Sequence, residues 1–367
     1  MPGPTFQEIK RWCRRIGWPV FGRPRGQIIA VQGRRVVGPC LAGVWLILSS
    51  CACEASAPPI KATDPHSPIR LGRTIALPDT KGRIDHLAVD LTGRRLFVAE
   101  VANGTVDTID LRTGAVVNRI SGLKEPQGVA WLPVRQELIV ACGDGSVHFY
   151  GASGQREIAV IPLGDDADNV RIDDRNGQVV VGYGSGGLAT IDPASHKVIH
   201  RVIFKGHPES FRLMGGNAFV NVPGNAAILA VDRDRQKVTA RWSTGVYRLN
   251  FPMALDPATH SAVIAFRFPA VLARVDMATG AIVESRPTCG DSDDLFLDGD
   301  REIVVCGTGH IHIVEKDRTE ARIETEKGSR TALFVPELRT LFLAVPARGH
   351  QAAIWEMRVS EAHSSRG

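Results

Sequence analysis

The chain reads as an all-β protein, a seven-bladed β-propeller of four-stranded antiparallel blades, and three observations predict it. Apolar and polar residues alternate in short bursts, the period of half-buried strands. Turn signals separate the bursts, among them Thr92-Gly93, Asn103-Gly104 and Thr113-Gly114, which tolerate positive φ. The whole pattern recurs at about 40 residues, the mark of a radial array.

The clearest unit runs from Gly82 to Ile120, with apolar pairs at Leu87 and Val89, Leu96 and Val98, Val106 and Ile109, and Val116 and Ile120. Aligned on that unit, first strands begin near Asp85, Gln127, Asp168, Glu209, Phe251, Asp293 and Arg330. Apolar runs recur in the strand after each, as in Leu138-Ile139-Val140, Val179-Val180-Val181 and Ala262-Val263-Ile264. The turn from Asp110 to Gly114 returns as Asp276-Met277-Ala278-Thr279-Gly280. The seventh unit stops after three strands. Ile69 to Leu77 carries a strand pattern ahead of the first unit and supplies the missing outer strand, closing the ring so that no inner edge is left unpaired. The propeller therefore spans 69–360, with 361–367 as a frayed tail.

Ahead of it lies a leader. The first 35 residues carry eight Lys or Arg against one Glu, so the remainder, with 36 basic and 38 acidic residues, gives no reason to expect nucleic acid. Residues 36–50 form an apolar run too short and too broken by Gly and Pro to span a membrane, and 1–50 reads as an export signal. Leu48-Ser49-Ser50-Cys51 resembles a bacterial lipobox, which makes Cys51 the lipidation site, while Ala55-Ser56-Ala57 offers a competing cleavage site. Either way the expected location is extracytoplasmic, in the periplasm, with a membrane-anchored lipoprotein as the form that Cys51 favours. Residues 51–68 are expected to be a Pro-rich tether.

Export permits disulfides. Cys289 precedes the first strand of blade six and Cys306 ends its second, so antiparallel pairing brings them together as a bridge worth roughly 3 kcal/mol. Cys142 holds the equivalent place in blade two and reads as a small buried residue. No C-x-x-C, nucleophile elbow or phosphate loop is present.

The repeat, seen as LFVAEVANGTVDTIDLRTGAVV, resembles the bacterial YVTN-type β-propeller repeat proteins, over roughly Ile69 to Val359. That extracytoplasmic group is related to the haem domain of cytochrome-type nitrite reductase and to propeller lactonases. The resemblance implies the fold and leaves the activity open, because such relatives include binding proteins, quinoprotein subunits and hydrolases.

First strands line a propeller's central channel, and the residues that open them form a ring. Here the ring offers Asp85, His86, Gln127, Asp168, Asn169, Glu209, Asn250, Asp293 and Arg330. Three readings stay open. The side chains cap strand ends around channel water. Alternatively, Asp168, Glu209 and Asp293 hold Ca²⁺ or Mg²⁺ as a cofactor, and could support metal-dependent hydrolysis of lactone-like esters. Or the ring is a pocket, with Arg330 as a carboxylate fork and the acids engaging a cationic group. His86 and His207 on one face also raise a transition-metal site. The sequence favours a monomeric binding or interaction module over an enzyme, its partner a small molecule or a periplasmic protein and its only membrane contact a lipid anchor.

Overall fold

Each repeat unit folds into a meander of four antiparallel strands, and seven such sheets make the propeller. The structure, a computed structural model, describes residues 60–152, 154, 156–315 and 320–361. The export leader 1–50, the lipidation site Cys51 and residues 362–367 of the expected tail lie outside the described residues. Blade one comprises Leu87–Asp90, Arg95–Glu100, Thr105–Asp110 and Ala115–Ser121, numbered outward from the channel. The innermost strands of blades two to seven are Pro126–Leu132, Ala167–Ile172, Phe211–Met214, Arg248–Asp256, Ser292–Asp298 and Ala332–Val335.

Burial follows the position of a strand in its blade. Second strands such as Glu137–Cys142, Val179–Tyr183 and Thr340–Val345 are buried throughout, because neighbouring blades cover both of their faces. Their sequences are accordingly continuous apolar runs rather than alternations. Outer strands such as Lys237–Ser243 alternate between exposed and partly covered residues. The core is divided among seven apolar clusters of the described residues, one at each junction between blades. The junction of blades seven and one packs Phe342 and Ile354 against Leu96 and Ile109.

Closure occurs as the sequence predicts. Ile69–Ala76 is the outer strand of the last blade, antiparallel to Ala353–Val359, with Ile69 opposite Val359 and Ala76 opposite Ala353. The expected tether differs from expectation, since it is built onto the fold from residue 60. Ile60–Lys61 pairs in parallel with Ile323 and Glu324 and gives blade six a fifth strand. Ile60 packs on the cluster between blades six and seven, Ala62 accepts from the Leu71 amide at 2.8 Å, and the Ser67 hydroxyl donates to Ile69 O at 2.5 Å. Two apolar residues, Ile60 and Ala62, and a few satisfied polar groups are enough to dock a segment whose proline content suggests a linker.

The disulfide joins Cys289 and Cys306 across a Cα–Cα distance of 5.9 Å. Cys142 is a free buried thiol, and burial pushes its pKa up to about 12, so it is inert as a nucleophile.

Removal of residues up to Pro68 is expected to leave a single cooperative melt, whereas removal up to Leu77 strips the closing strand and should abolish it. Circular dichroism melts of the two truncations check this. Replacing Cys289 and Cys306 with Ser should destabilise the domain by roughly 3 kcal/mol in urea titration.

Candidate functional site

Where the inner strands of blades one to six begin, the ladder to the second strand is interrupted. The register shifts between Pro126 and Val129, Ala167 and Val170, Asn250 and Met253, and Ser292 and Asp294. In blade one Asp85 N and His86 O both bond Ala99, at 2.8 and 3.1 Å; in blade four Glu209 N and Ser210 O both bond Asn221, at 3.0 and 2.9 Å. Two residues thus face one, as in a β-bulge, which re-aims side chains out of the pleat. Here the bulges turn polar side chains toward the channel.

Beyond the bulge the blades return to a common register, with Leu87, Val129, Val170, Phe211, Met253, Leu295 and Ala332 opposite equivalent second-strand residues. Counting back two places gives the mouth layer: Asp85, Gln127, Asp168, Glu209, Phe251, Asp293 and Arg330. Six ring residues expected from the sequence, Asp85, His86, Asp168, Asn169, Glu209 and Asp293, line one cavity of about 30 Å³. Arg83, Arg171, Arg212 and Asp294 line it too. The space holds a water or two, or one small ion.

Three expected residues do not face this cavity. Asn250 lies one place out of register and is fully buried, its amide donating to Asn221 Oδ1 at 3.0 Å and Ala227 O at 2.9 Å; Phe251 and Pro252 take its place. Gln127 joins blades two and three by donating to Asp166 Oδ1 at 3.0 Å. Its neighbour Gly128 permits that junction, because a Cβ there would lie 1.8 Å from Asp168 O. Arg330 is committed to Asp291, at 3.0 and 3.1 Å, and its Nε lies 3.4 Å from Asp293. It is therefore not a free carboxylate fork.

The acids of the ring have basic neighbours. Asp293 is held by Arg267 and Arg330, and Asp85 pairs with Arg83. Asp168 lies between His86 Nε2 at 3.7 Å and His207 Nε2 at 3.8 Å. Among the described residues no group of three or more His, Cys, Asp or Glu side chains is disposed to hold a metal ion. Asp168, Glu209 and Asp293, the expected Ca²⁺ or Mg²⁺ ligands, all line the cavity, with Asp168 beside two histidines and Asp293 beside two arginines. His207 is engaged within the protein. Burial opposes its charge, but Asp168, Glu209 and Asp166 outweigh burial and raise its pKa to about 10, and its Nδ1 contacts Gly184 O at 2.7 Å.

The remaining electrostatics are those of charges drawn out of water. Burial raises Glu209 to about 7 against the pull of His207, and raises Asp294 to about 6. Asp85 is likewise raised by burial, against Arg83 and His86. Burial also works on Asp168, yet His207, His86 and Arg83 hold it below the ordinary carboxylate range. Glu209 makes no side-chain hydrogen bond or ion pair among the described residues, although it lines the cavity. Arg83 comes from the loop ahead of the first inner strand, and its half-exposed side chain spans the mouth, its pKa raised first by Asp85 and further by Asp293, Asp168 and Glu209.

A larger groove of about 840 Å³ opens at the far ends of the strands, near the turns at Arg94 and Arg339. Six arginines line it: Arg112 pairs with Asp110, Arg301 with Glu315 and Arg339 with Asp298, while Arg70, Arg94 and Arg358 make no such pair among the described residues.

Arg171 and Arg212 escaped the sequence reading, although the repeat carries their signal. Three places after the ring residues, the other blades have Ala88, Ala130, Ala254, Phe296 and Leu333.

Fold and site define the class: a seven-bladed β-propeller with a charged channel mouth. A scan against known protein families finds no match, and no curated protein matches the chain.

The shifted groups predict a pH dependence. An unfolded glutamate releases its proton near 4.5 and folded Glu209 only near 7, so the native state holds more protons in that window and stability falls as pH rises through it. The loss should be on the order of 2 kcal/mol, and Glu209→Gln should remove it. The stability that charged His207 contributes is present in full below pH 6.5 and is lost as pH rises from there to about 10. Urea titrations across pH 4.5 to 10 check both slopes.

Proposed function

We propose that this propeller is an exported binding module whose channel mouth receives a small cationic group, an ammonium or a guanidinium, carried by a small molecule or by a periplasmic protein. The observation that carries the reading is Glu209, a carboxylate in the channel cavity that makes no hydrogen bond or ion pair among the described residues. Around it converge Asp85, Asp168 and Asp293 from three other blades. Arg83 already occupies this ring as a tethered guanidinium, paired with Asp85, and its side chain is half-exposed. A cation arriving from outside takes the same acidic groups and adds a partner for Glu209, whose buried charge then becomes favourable.

The export leader and Cys51 belong to the same reading, with the protein a monomer of the YVTN-type group held at a membrane by lipid alone. The repeat LFVAEVANGTVDTIDLRTGAVV and Leu48-Ser49-Ser50-Cys51 support it.

Agmatine, which presents both a guanidinium and an ammonium, is a suitable calorimetric probe. Arg83→Ala should bind it about tenfold more tightly than the native chain, through loss of the internal competitor, and Glu209→Gln about tenfold more weakly. Affinity should rise between pH 6 and pH 8 as Glu209 ionises near 7. Equal affinities in all three chains, or no binding even by Arg83→Ala, would sink the proposal.

A further inference from the structure

The groove of about 840 Å³ is walled by blades six, seven and one, on the side of the ring away from the channel mouth. Within it Arg70 and Arg358 stand directly opposite each other on the two strands that close the ring, with Thr340 the next residue across. Like charges so placed repel. Neither guanidinium, nor that of Arg94 from the first turn of blade one, makes a hydrogen bond or ion pair among the described residues, and all three residues are exposed. The acids that line the groove do not make up the difference. Glu356 accepts from Arg73 Nε at 3.0 Å and Glu315 is held by Arg301 at 2.8 Å. Glu361 is exposed and acts on Arg339 only from a distance. Three unpaired cations thus face one unpaired carboxylate. The backbone leaves room for them: the register shift between Leu71 and Arg73 sets Gly72 beside Arg358, whose Nε lies 3.5 Å from the place a Cβ would take. Pro68, Leu111 and Leu338, all partly exposed, give the groove an apolar wall.

We propose that this groove binds a small organic phosphate monoester, its dianionic phosphate held by Arg70, Arg358 and Arg94 and its organic part laid along Leu111 and Leu338. A dianion offsets the whole excess of positive charge, whereas a monoanion leaves half of it. Three phosphate oxygens also suit guanidinium forks arriving from two strands and a turn. The volume is that of a small-molecule site. The site goes beyond the mouth reading and does not depend on it, since it lies on the opposite face of the ring: failure of agmatine to bind leaves the phosphate result unaffected.

Phenyl phosphate is the probe, and phenyl sulfate, of the same shape with a single charge, is its control. Calorimetry on the native chain at pH 8 should show phenyl phosphate binding about tenfold more tightly than phenyl sulfate. That affinity should fall about tenfold between pH 8 and pH 5, as the phosphate takes up its second proton near 6. Arg70→Gln and Arg358→Gln should each weaken binding about tenfold while melting no lower than the native chain, because each removes one of two opposed like charges. Equal affinity for the two probes, no binding of phenyl phosphate, or undiminished binding by both variants overturns the proposal. Binding only to vesicles that carry phosphatidic acid, which present the same dianion on a surface, overturns it as well.

Discussion

One antiparallel pairing holds the ring together: Ile69–Ala76, from the start of the domain, lies against Ala353–Val359 from its end. Every blade buries both faces against neighbours, so an open stack would expose the apolar faces of its first and last members. Closure removes those two faces at once, and the cluster holding Ile75, Leu77, Phe342 and Leu96 forms only because the first and last blades meet. A closed ring also fixes the width of the channel, and with it which inner-strand side chains approach one another. The extra strand Ile60–Lys61 is an addition to blade six and takes no part in this closure.

Within the ring, the bulge at the start of the inner strands of blades one to six gives the channel mouth its polar lining. Regular pleating would send successive side chains alternately into the two neighbouring junctions. The two-for-one pairing at Asp85-His86 and at Glu209-Ser210 frees consecutive residues from that alternation, and the mouth becomes polar where the strand just beyond it is apolar. Left-handed backbone at Glu125, Asp166, Leu249 and Asp291, each two residues ahead of a mouth residue, makes the approach equally uniform in four blades.

The repeat made the architecture legible because each blade repeats the same physical problem, and the same answer reappears in the letters: apolar runs in covered strands, an aspartate closing a turn. Asp110 and Asp276 show the latter, accepting from amides two and three residues on. The acidic side of the channel was legible for the same reason, since Asp85, Asp168, Glu209 and Asp293 hold equivalent places. Partners were not. Whether Arg330 faces the channel or Asp291, and whether Asn250 or Phe251 takes the ring position, depends on a one-residue bulge that periodicity does not resolve. Arg83 lies outside the repeat register, and its place in the mouth depends on how a loop crosses the channel. The short strand at Ile60 escaped for a related reason: two residues carry no period.

The cost of the channel's charges separates them from the rest of the structure. Burial works against the charge of Asp85, Glu209 and Asp294 by raising their pKa, and against that of Arg171 and Arg212 by lowering theirs. The aspartates in the turns behave differently: hydrogen bonds from its own turn hold Asp276 below the ordinary range. Charges at the turns thus serve the fold, whereas several in the channel work against it. The seven clusters between blades supply the apolar burial that tolerates this, and they do so without drawing on the channel lining. A stable ring can therefore keep, at its axis, charged groups whose burial works against it.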